Sequence, residues 1–353
     1  MEIRQPIHAG SATSNDRKDA LMFRATRLKQ IATLALALAS IDALASFHRP
    51  FAPTRRSHRG PPSMLTSGGG GFVGAAVSAR LLYVWDNTLP GDSVRTGQLL
   101  EFCRRNGIGT IAIDCAPLGG SPTANAARYR SFVASANGRD LDVLALAGDP
   151  WWTVPAVTTL QNPGGSQETG WRFYAQVRAS NAGFDGVLDV SEPYQRDPAA
   201  FWNDPATAGQ GLVDFLAGVR ARLGGLPLLH AIPYWYDEDP RCTVRLAGSR
   251  SAKPLNQYVQ PLVDVTVLLE NRDVAFGSDG IIAHSQGELA VGPCILGVET
   301  QDLGPAGDEL TFWEEGRGAL ERELALVALA RMNQPNLRGF ALHHYASFAN
   351  LRP

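Results

Sequence analysis

From residue 78 onward the chain alternates between two hydrophobic patterns. Short, continuous β-branched or aliphatic runs occupy residues 81–85, 109–114, 143–148, 186–190, 227–232, 263–269, 294–298 and 339–343. Hydrophobicity that is continuous rather than alternating suits parallel strands buried on both faces. Between the runs lie stretches with helical patterning at 94–106, 123–137, 170–181, 210–223, 278–290 and 315–332. The first ends at Gly107, the second follows Ser121-Pro122 and the fourth stops at Gly224-Gly225, all ordinary helix punctuation. In the last, Leu320, Leu324, Val327 and Ala328 share one face at i, i+4, i+7 and i+8. Eight strand units in strict alternation with helices predict an α/β fold, a (β/α)8 barrel, over residues 78–353. A doubly wound sheet is the alternative arrangement of the same elements. Only residues 344–353 follow the eighth run, so the last helix is expected to be short or missing.

Residues 1–77 read differently. A basic stretch begins at Met22, residues 31–41 are apolar, and Ala43-Leu44-Ala45 fits the small-x-small rule for cleavage. This order predicts an export signal over residues 1–45, with translation starting at Met22 and a secreted or periplasmic mature chain beginning near Ser46. The stretch 46–77, rich in Pro, Ser, Arg and Gly, reads as a flexible linker. It contains Gly69-Gly70-Gly71-Phe72-Val73-Gly74, which matches G-x-G-x-x-G. That fingerprint needs a strand before it and a long helix after it, and has neither here, so no dinucleotide or other cofactor is expected. No other segment reaches the roughly 18 apolar residues of a membrane span.

Composition narrows the function classes. With 44% hydrophobic and 19% charged residues the chain is globular. Its 32 Lys+Arg against 34 Asp+Glu provide no global basic field for a nucleic-acid backbone. Cys103, Cys115, Cys242 and Cys294 form no CxxC pair, which argues against a zinc ribbon or a disulfide scaffold. In an exported chain, pairing of Cys103 with Cys115 or of Cys242 with Cys294 stays open.

In a (β/α)8 barrel, chemistry belongs at the C-terminal ends of the strands. Read in order, those positions carry Trp85-Asp86, Asp114, Asp149-Pro150-Trp151-Trp152, Asp189 with Glu192-Pro193-Tyr194, Tyr234-Trp235, Glu270 with Arg272, Glu299-Thr300 and His343-His344-Tyr345. An acid stands at six of the eight ends, although only 34 of 353 residues are acidic. Any single one of these acids is ordinarily a helix cap or an ion-pair partner. Their concentration among aromatic rings suggests a carbohydrate cleft, where rings stack on sugar faces while carboxylates take the hydroxyls and the glycosidic oxygen. At least two of Trp85, Trp151, Trp152, Trp235 and Tyr345 are expected to line it.

Glu192 ends the fourth run in Ser191-Glu192-Pro193, and Glu299 ends the seventh in Gly297-Val298-Glu299-Thr300. The arrangement resembles the clan of retaining glycosidases whose acid/base Glu follows strand four, usually as Asn-Glu-Pro, with a nucleophilic Glu after strand seven. Here Ser191 stands where the clan has Asn. The segments Tyr83-Val84-Trp85-Asp86, Phe184 to Tyr194, Thr311-Phe312 and Gly339 to Tyr345 are also similar to poorly characterised bacterial barrel proteins related to glycoside hydrolases. In that group strand four reads Phe-Asp-Gly-Ile-His-Leu-Asp-Val-Glu-Pro-Tyr. This chain puts its Asp one place early, at Asp189, so Asp189 shares a face with Glu192 only if a bulge intervenes. Glu270 and Asn271 replace that group's Asp and Tyr after strand six.

These resemblances imply hydrolysis of an oligo- or polysaccharide by double displacement. Protonated Glu192 would donate to the leaving oxygen and ionised Glu299 would attack, its charge held by Arg272 or by His343 or His344. A substrate-assisted variant would use Asp189 to orient an N-acetyl group. Metal hydrolysis is not expected, because the first strand offers Trp85-Asp86 where metal-dependent barrels carry a His pair. His284-Ser285-Gln286-Gly287 lacks the first Gly of a serine-hydrolase elbow. His230, mid-strand, reads as a core histidine. A barrel that binds glycan without cleaving it is the competing, non-enzymatic expectation.

Overall fold

The structure is a computed structural model and describes residues 79–120, 122–155 and 165–353. The expected signal and linker, with the glycine-rich motif at 69–74, lie outside the described residues. Eight parallel strands close into a barrel: β1 (Arg80–Val84), β2 (Thr110–Asp114), β3 (Asp142–Ala147), β4 (Gly186–Asp189), β5 (Leu228–Pro233), β8 (Val265–Leu269), β9 (Cys294–Glu299) and β10 (Leu337–His343). Closure comes from the pairing of β1 with β10, Leu82 lying opposite Leu342.

Continuous hydrophobicity has a direct cause here. Successive side chains point to opposite faces of a strand. One parity (Leu81, Tyr83, Ala112, Leu144, Leu146, Leu188, Leu229, Ala231, Val265, Val267, Ile295, Ala341) fills the barrel interior. The other (Leu82, Val84, Ile111, Ile113, Val143, Val187, Ile232, Leu268, Leu296, Leu342) packs outward beneath the helices. Those helices are α1 (Ser93–Arg105), α2 (Pro122–Asn137), α3 (Gln167–Ala179), α4 (Pro205–Leu223) and α5 (Arg317–Ala330).

Three features differ from the sequence reading. Helix α4 begins earlier than expected, capped by Asp204, whose side chain accepts from the Thr207 N–H. The stretch 278–290 holds two short helices, Ile281–His284 and Gln286–Val291, where one was expected. The connection from β5 to β8 carries an antiparallel hairpin, β6 (Thr243–Val244) with β7 (Lys253–Pro254), too short to leave a pattern in the sequence. The last helix is a six-residue piece, α6 (Tyr345–Asn350). All four cysteines are buried free thiols, which corrects both open pairings; Cys115 instead donates to the Leu146 carbonyl at 3.3 Å. No helix among the described residues is long and apolar enough to cross a membrane.

Candidate active site

The C-terminal mouth of the barrel holds a cavity of about 330 Å³. Inward strand parity decides which residues reach it: Tyr83 and Trp85 continue the interior side of β1, Leu269 and Asn271 that of β8, Gly297 and Glu299 that of β9, and His343 that of β10. On β4 the inward series runs Leu188, Val190, Glu192 without a bulge, and the turn into Pro193–Arg196 adds Tyr194 and Gln195. The backbone of β4 approaches the end of β3 so closely that a Cβ on Gly148 would fall 2.5 Å from the Val190 carbonyl carbon. Glu192 and Glu299 therefore line one cavity from strands separated by β5 and β8.

The two carboxyls are in opposite electrostatic states. Burial is the main force on Glu192 and, with the negative charge of Asp189, raises it from 4.5 to about 7; Tyr194 and Gln195 draw it partly back. Its Oε2 accepts from the Gln195 side-chain amide, while Oε1 is buried without a hydrogen-bond partner among the described residues. Burial also pushes Glu299 up, but hydrogen bonds outweigh it and hold that carboxyl below its ordinary value. Glu299 Oε2 lies 2.7 Å from His343 Nδ1, and Oε1 accepts from the N–H groups of Thr300 and Gln301, each at 2.8 Å. Tyr83, fully buried with a hydroxyl that has no partner among the described residues, is pushed up first by burial and then by both glutamates. Its phenol stays neutral, and the residue lines the cavity.

Outward parity takes Asp189 away from the cavity. It is completely buried and accepts from the Tyr174 hydroxyl at 2.6 Å, from Ser191 N–H and Oγ at 3.1 and 2.9 Å, and pairs with His230 Nδ1 at 2.7 Å. The catalytic role expected of Asp189 is corrected accordingly: it braces β4 against β5 and α3, and no carboxylate there is free to orient an N-acetyl group. His230 is its buried partner.

At least two of the five rings were expected on the cleft, and only Trp85 lines it; Tyr83 and Tyr194 supply the other rings. Trp152 is buried against Phe173, Tyr174 and Phe215, with ring centroids 5.2–6.3 Å away. Trp151 carries the Arg196 guanidinium on its face, Trp235 packs on Trp202 and Tyr194, and Tyr345 packs on Phe102. Asp86, Asp114 and Asp149 are absent from the cavity wall and serve local structure. Asp86 holds Thr88 and Arg95, Asp114 accepts from Asn87 and Ala116, and Asp149 caps the turn Pro150–Thr153. His344 caps α6 and lies outside the wall as well.

Arg272 does not support Glu299. Its Nε pairs with Asp279 at 2.9 Å, and it donates to the Tyr234 hydroxyl at 2.8 Å. Glu270 faces outward, fully buried with neither oxygen partnered among the described residues, and is raised well above its ordinary value by burial and then by Glu288 and Glu238. Neither residue lines the cavity. The sequence reading missed Tyr83, Gln195 and Asn271. Parity along β1 and β8 was the signal for the first and last; Gln195 depends on the turn after Pro193, which left none.

No family model matches the chain, and no curated protein matches it. Among solved structures it is similar to an exo-β-1,4-mannosidase from Opitutaceae bacterium strain TAV5, at 13% identity and a TM-score of 0.50. That alignment covers 76% of this chain and 52% of the other, so the chain spans about half the length of that protein. It is also similar to a GH5_18 protein from Streptomyces cattleya in complex with GlcNAc, at 13% identity, 76% and 70% coverage and a TM-score of 0.49. A GH18 chitinase from Pseudoalteromonas aurantia matches at 13% identity, 77% and 96% coverage and a TM-score of 0.49. The fold is that of a glycosidase-like barrel.

Proposed function

We propose that this glycosidase-like barrel hydrolyses a glycosidic bond of an oligo- or polysaccharide by double displacement, with Glu192 as acid/base and Glu299 as nucleophile. The observation that carries the reading is the pair of carboxyls on one cavity, one pushed up to about 7 and the other held below its ordinary value. Environments that push two titratable groups apart assign the acid and the base. Glu192 donates its proton to the glycosidic oxygen as the C–O bond breaks, and Glu299 attacks the anomeric carbon to form a glycosyl ester. Ionised Glu192 then takes a proton from water, which displaces Glu299 and releases the sugar. The Glu192 Oε1 and the Tyr83 hydroxyl, neither partnered among the described residues, support this reading, since a buried polar atom without a partner costs stability unless a ligand satisfies it. Trp85, 40% exposed on the wall, offers a face for a sugar ring.

The test is turnover on a panel of aryl and natural glycosides. Glu299→Gln should abolish it while sparing binding. Glu192→Gln should slow poor leaving groups far more than activated aryl glycosides, which depart without an acid. A wild-type chain that binds glycans yet cleaves none would make it a binding barrel instead. The basic, apolar, small-residue order of residues 22–45 further supports export, to be checked by mass spectrometry for a mature N-terminus near Ser46.

A further inference from the structure

Two polar groups on the cavity wall, besides the carboxyls, are already engaged. The Gln195 amide donates to Glu192, and the Trp85 indole N–H lies 2.9 Å from His343 Nε2. Asn271 is different. It lines the cavity beyond the end of β8, and its side-chain amide has no hydrogen-bond partner among the described residues. An amide carries both donors and an acceptor, so both halves are left for a ligand.

The backbone of Asn271 is unusual as well. Its φ of +42° lies in the left-handed region, which Gly, Asn and Asp tolerate and most other residues avoid. The fold holds it there from both sides. The Glu270 N–H donates to the Gly297 carbonyl at 3.0 Å, and Arg272 Nη1 donates to the Asn271 carbonyl at 2.8 Å. Arg272 is itself fixed by Asp279 and by the Tyr234 hydroxyl, with its guanidinium 5.0 Å from the centre of that ring. An arginine that does not line the cavity thus locks the residue beside it that does. A turn that needed only a positive φ would be served at least strain by Gly. Asn settles in this region partly because its short side chain can bond locally, and here it makes no such bond. Asp would fit the turn too, but would set another carboxylate on the wall that holds Glu299.

We propose that Asn271 is a specificity-determining residue: its amide hydrogen-bonds one ring hydroxyl of the sugar bound in the cavity, and Arg272 holds the left-handed turn that presents it. The proposal rests on the reading of the cavity as a saccharide site, and adds the group that tells one sugar from its epimers. A hydroxyl donates and accepts as an amide does, and the contact is lost when that hydroxyl is removed or turned to the other face of the ring.

The experiment is a cycle between protein and substrate. Wild type and Asn271→Gly are compared by kcat/KM on aryl glycosides of epimeric hexoses and on single-deoxy analogues of the best of them. Calorimetric titration with the matching methyl glycosides reads affinity without turnover. Gly adopts a φ of +42° freely, so this variant keeps the turn and should melt close to wild type, whereas Ala would add strain. On wild type, removing one particular hydroxyl should lower kcat/KM and affinity roughly tenfold, about what one neutral hydrogen bond carries. In Asn271→Gly the same removal should cost nothing further, and the preference between epimers at that carbon should flatten. Removing any other hydroxyl should cost the same in both proteins. A Gly variant that keeps wild-type discrimination at every position, or loses it equally at all of them, would overturn the proposal. If wild type binds a sugar but cleaves no glycoside, the hydrolase reading fails and the affinity cycle decides the role of Asn271. A wild type that neither binds nor cleaves any sugar of the panel would overturn both.

Discussion

Replacing Glu192 with Gln should stabilise the protein, and by an amount that depends on pH. Folded Glu192 keeps its proton up to about 7, against an ordinary 4.5. A group whose folded pKa is raised contributes stability that is complete below the unfolded value and lost as pH rises through the folded one. For this carboxyl the window runs from about 4.5 to 7. Above it, carrying an ionised and buried Glu192 costs the fold about 3 kcal/mol at 1.36 kcal/mol per pH unit. Gln has the shape of the protonated acid and can still present an oxygen to the Gln195 amide. The variant should match wild type near pH 4.5 and exceed it by about 3 kcal/mol at pH 8. At ~2–4 °C per kcal/mol for a domain of this size, that is a gain in Tm of roughly 6–12 °C. Urea and thermal melts of both proteins at the two pH values measure it. A stability difference that is the same at pH 4.5 and pH 8 would show that the cavity does not hold Glu192 protonated, and the assignment of its acid role would fall with it.

Asp189→Asn should cost stability, roughly 2–4 kcal/mol, because one of the two carboxylate oxygens that face Tyr174, Ser191 and His230 becomes an NH2 set against buried donors; denaturant melts read this, and loss of turnover at unchanged stability would restore a catalytic role. Trp152→Ala should destabilise by about 3–5 kcal/mol while leaving glycan affinity intact, since its ring is core. Trp85→Ala should do the reverse, weakening oligosaccharide binding by ~1 kcal/mol in calorimetric titration with little effect on Tm.

The barrel was legible because each strand is buried on both faces, which leaves a continuous apolar run no helix of similar length would need. Glu192 and Glu299 were legible for a further reason: the strand alternation that fills the interior with Leu188 and Val190, or Ile295 and Gly297, carries on to them. The same alternation, followed outward, separates Asp189, Glu270 and His344 from the cavity. Reading strand ends as a single rim merged the two parities, and so gathered caps and braces together with site residues. The aromatic rings misled for a different cause. Trp151, Trp152 and Trp235 sit in turns after the strands, where direction is set by local packing on Phe173, Arg196 or Trp202 rather than by the pleat. The support of Glu299 by His343 rather than Arg272 needed the register of β9 against β10, which places those two residues side by side.

The barrel closes along the seam between its first and last strands, and the hydrogen bond from Trp85 to His343 joins residues 258 positions apart. That seam imposes an order on synthesis. While the ribosome is still extending the chain, Glu192 and even Glu299 can be present without any interior to hold them. Glu192 is then an ordinary solvated carboxyl, and Glu299 lacks the imidazole that steadies it. The imidazole that steadies Glu299 arrives only when β10 docks beside β1, through contacts that span about 260 positions of the described residues. A chain cut before β10 is therefore expected to carry Glu192 and Glu299 without the surroundings that set them apart.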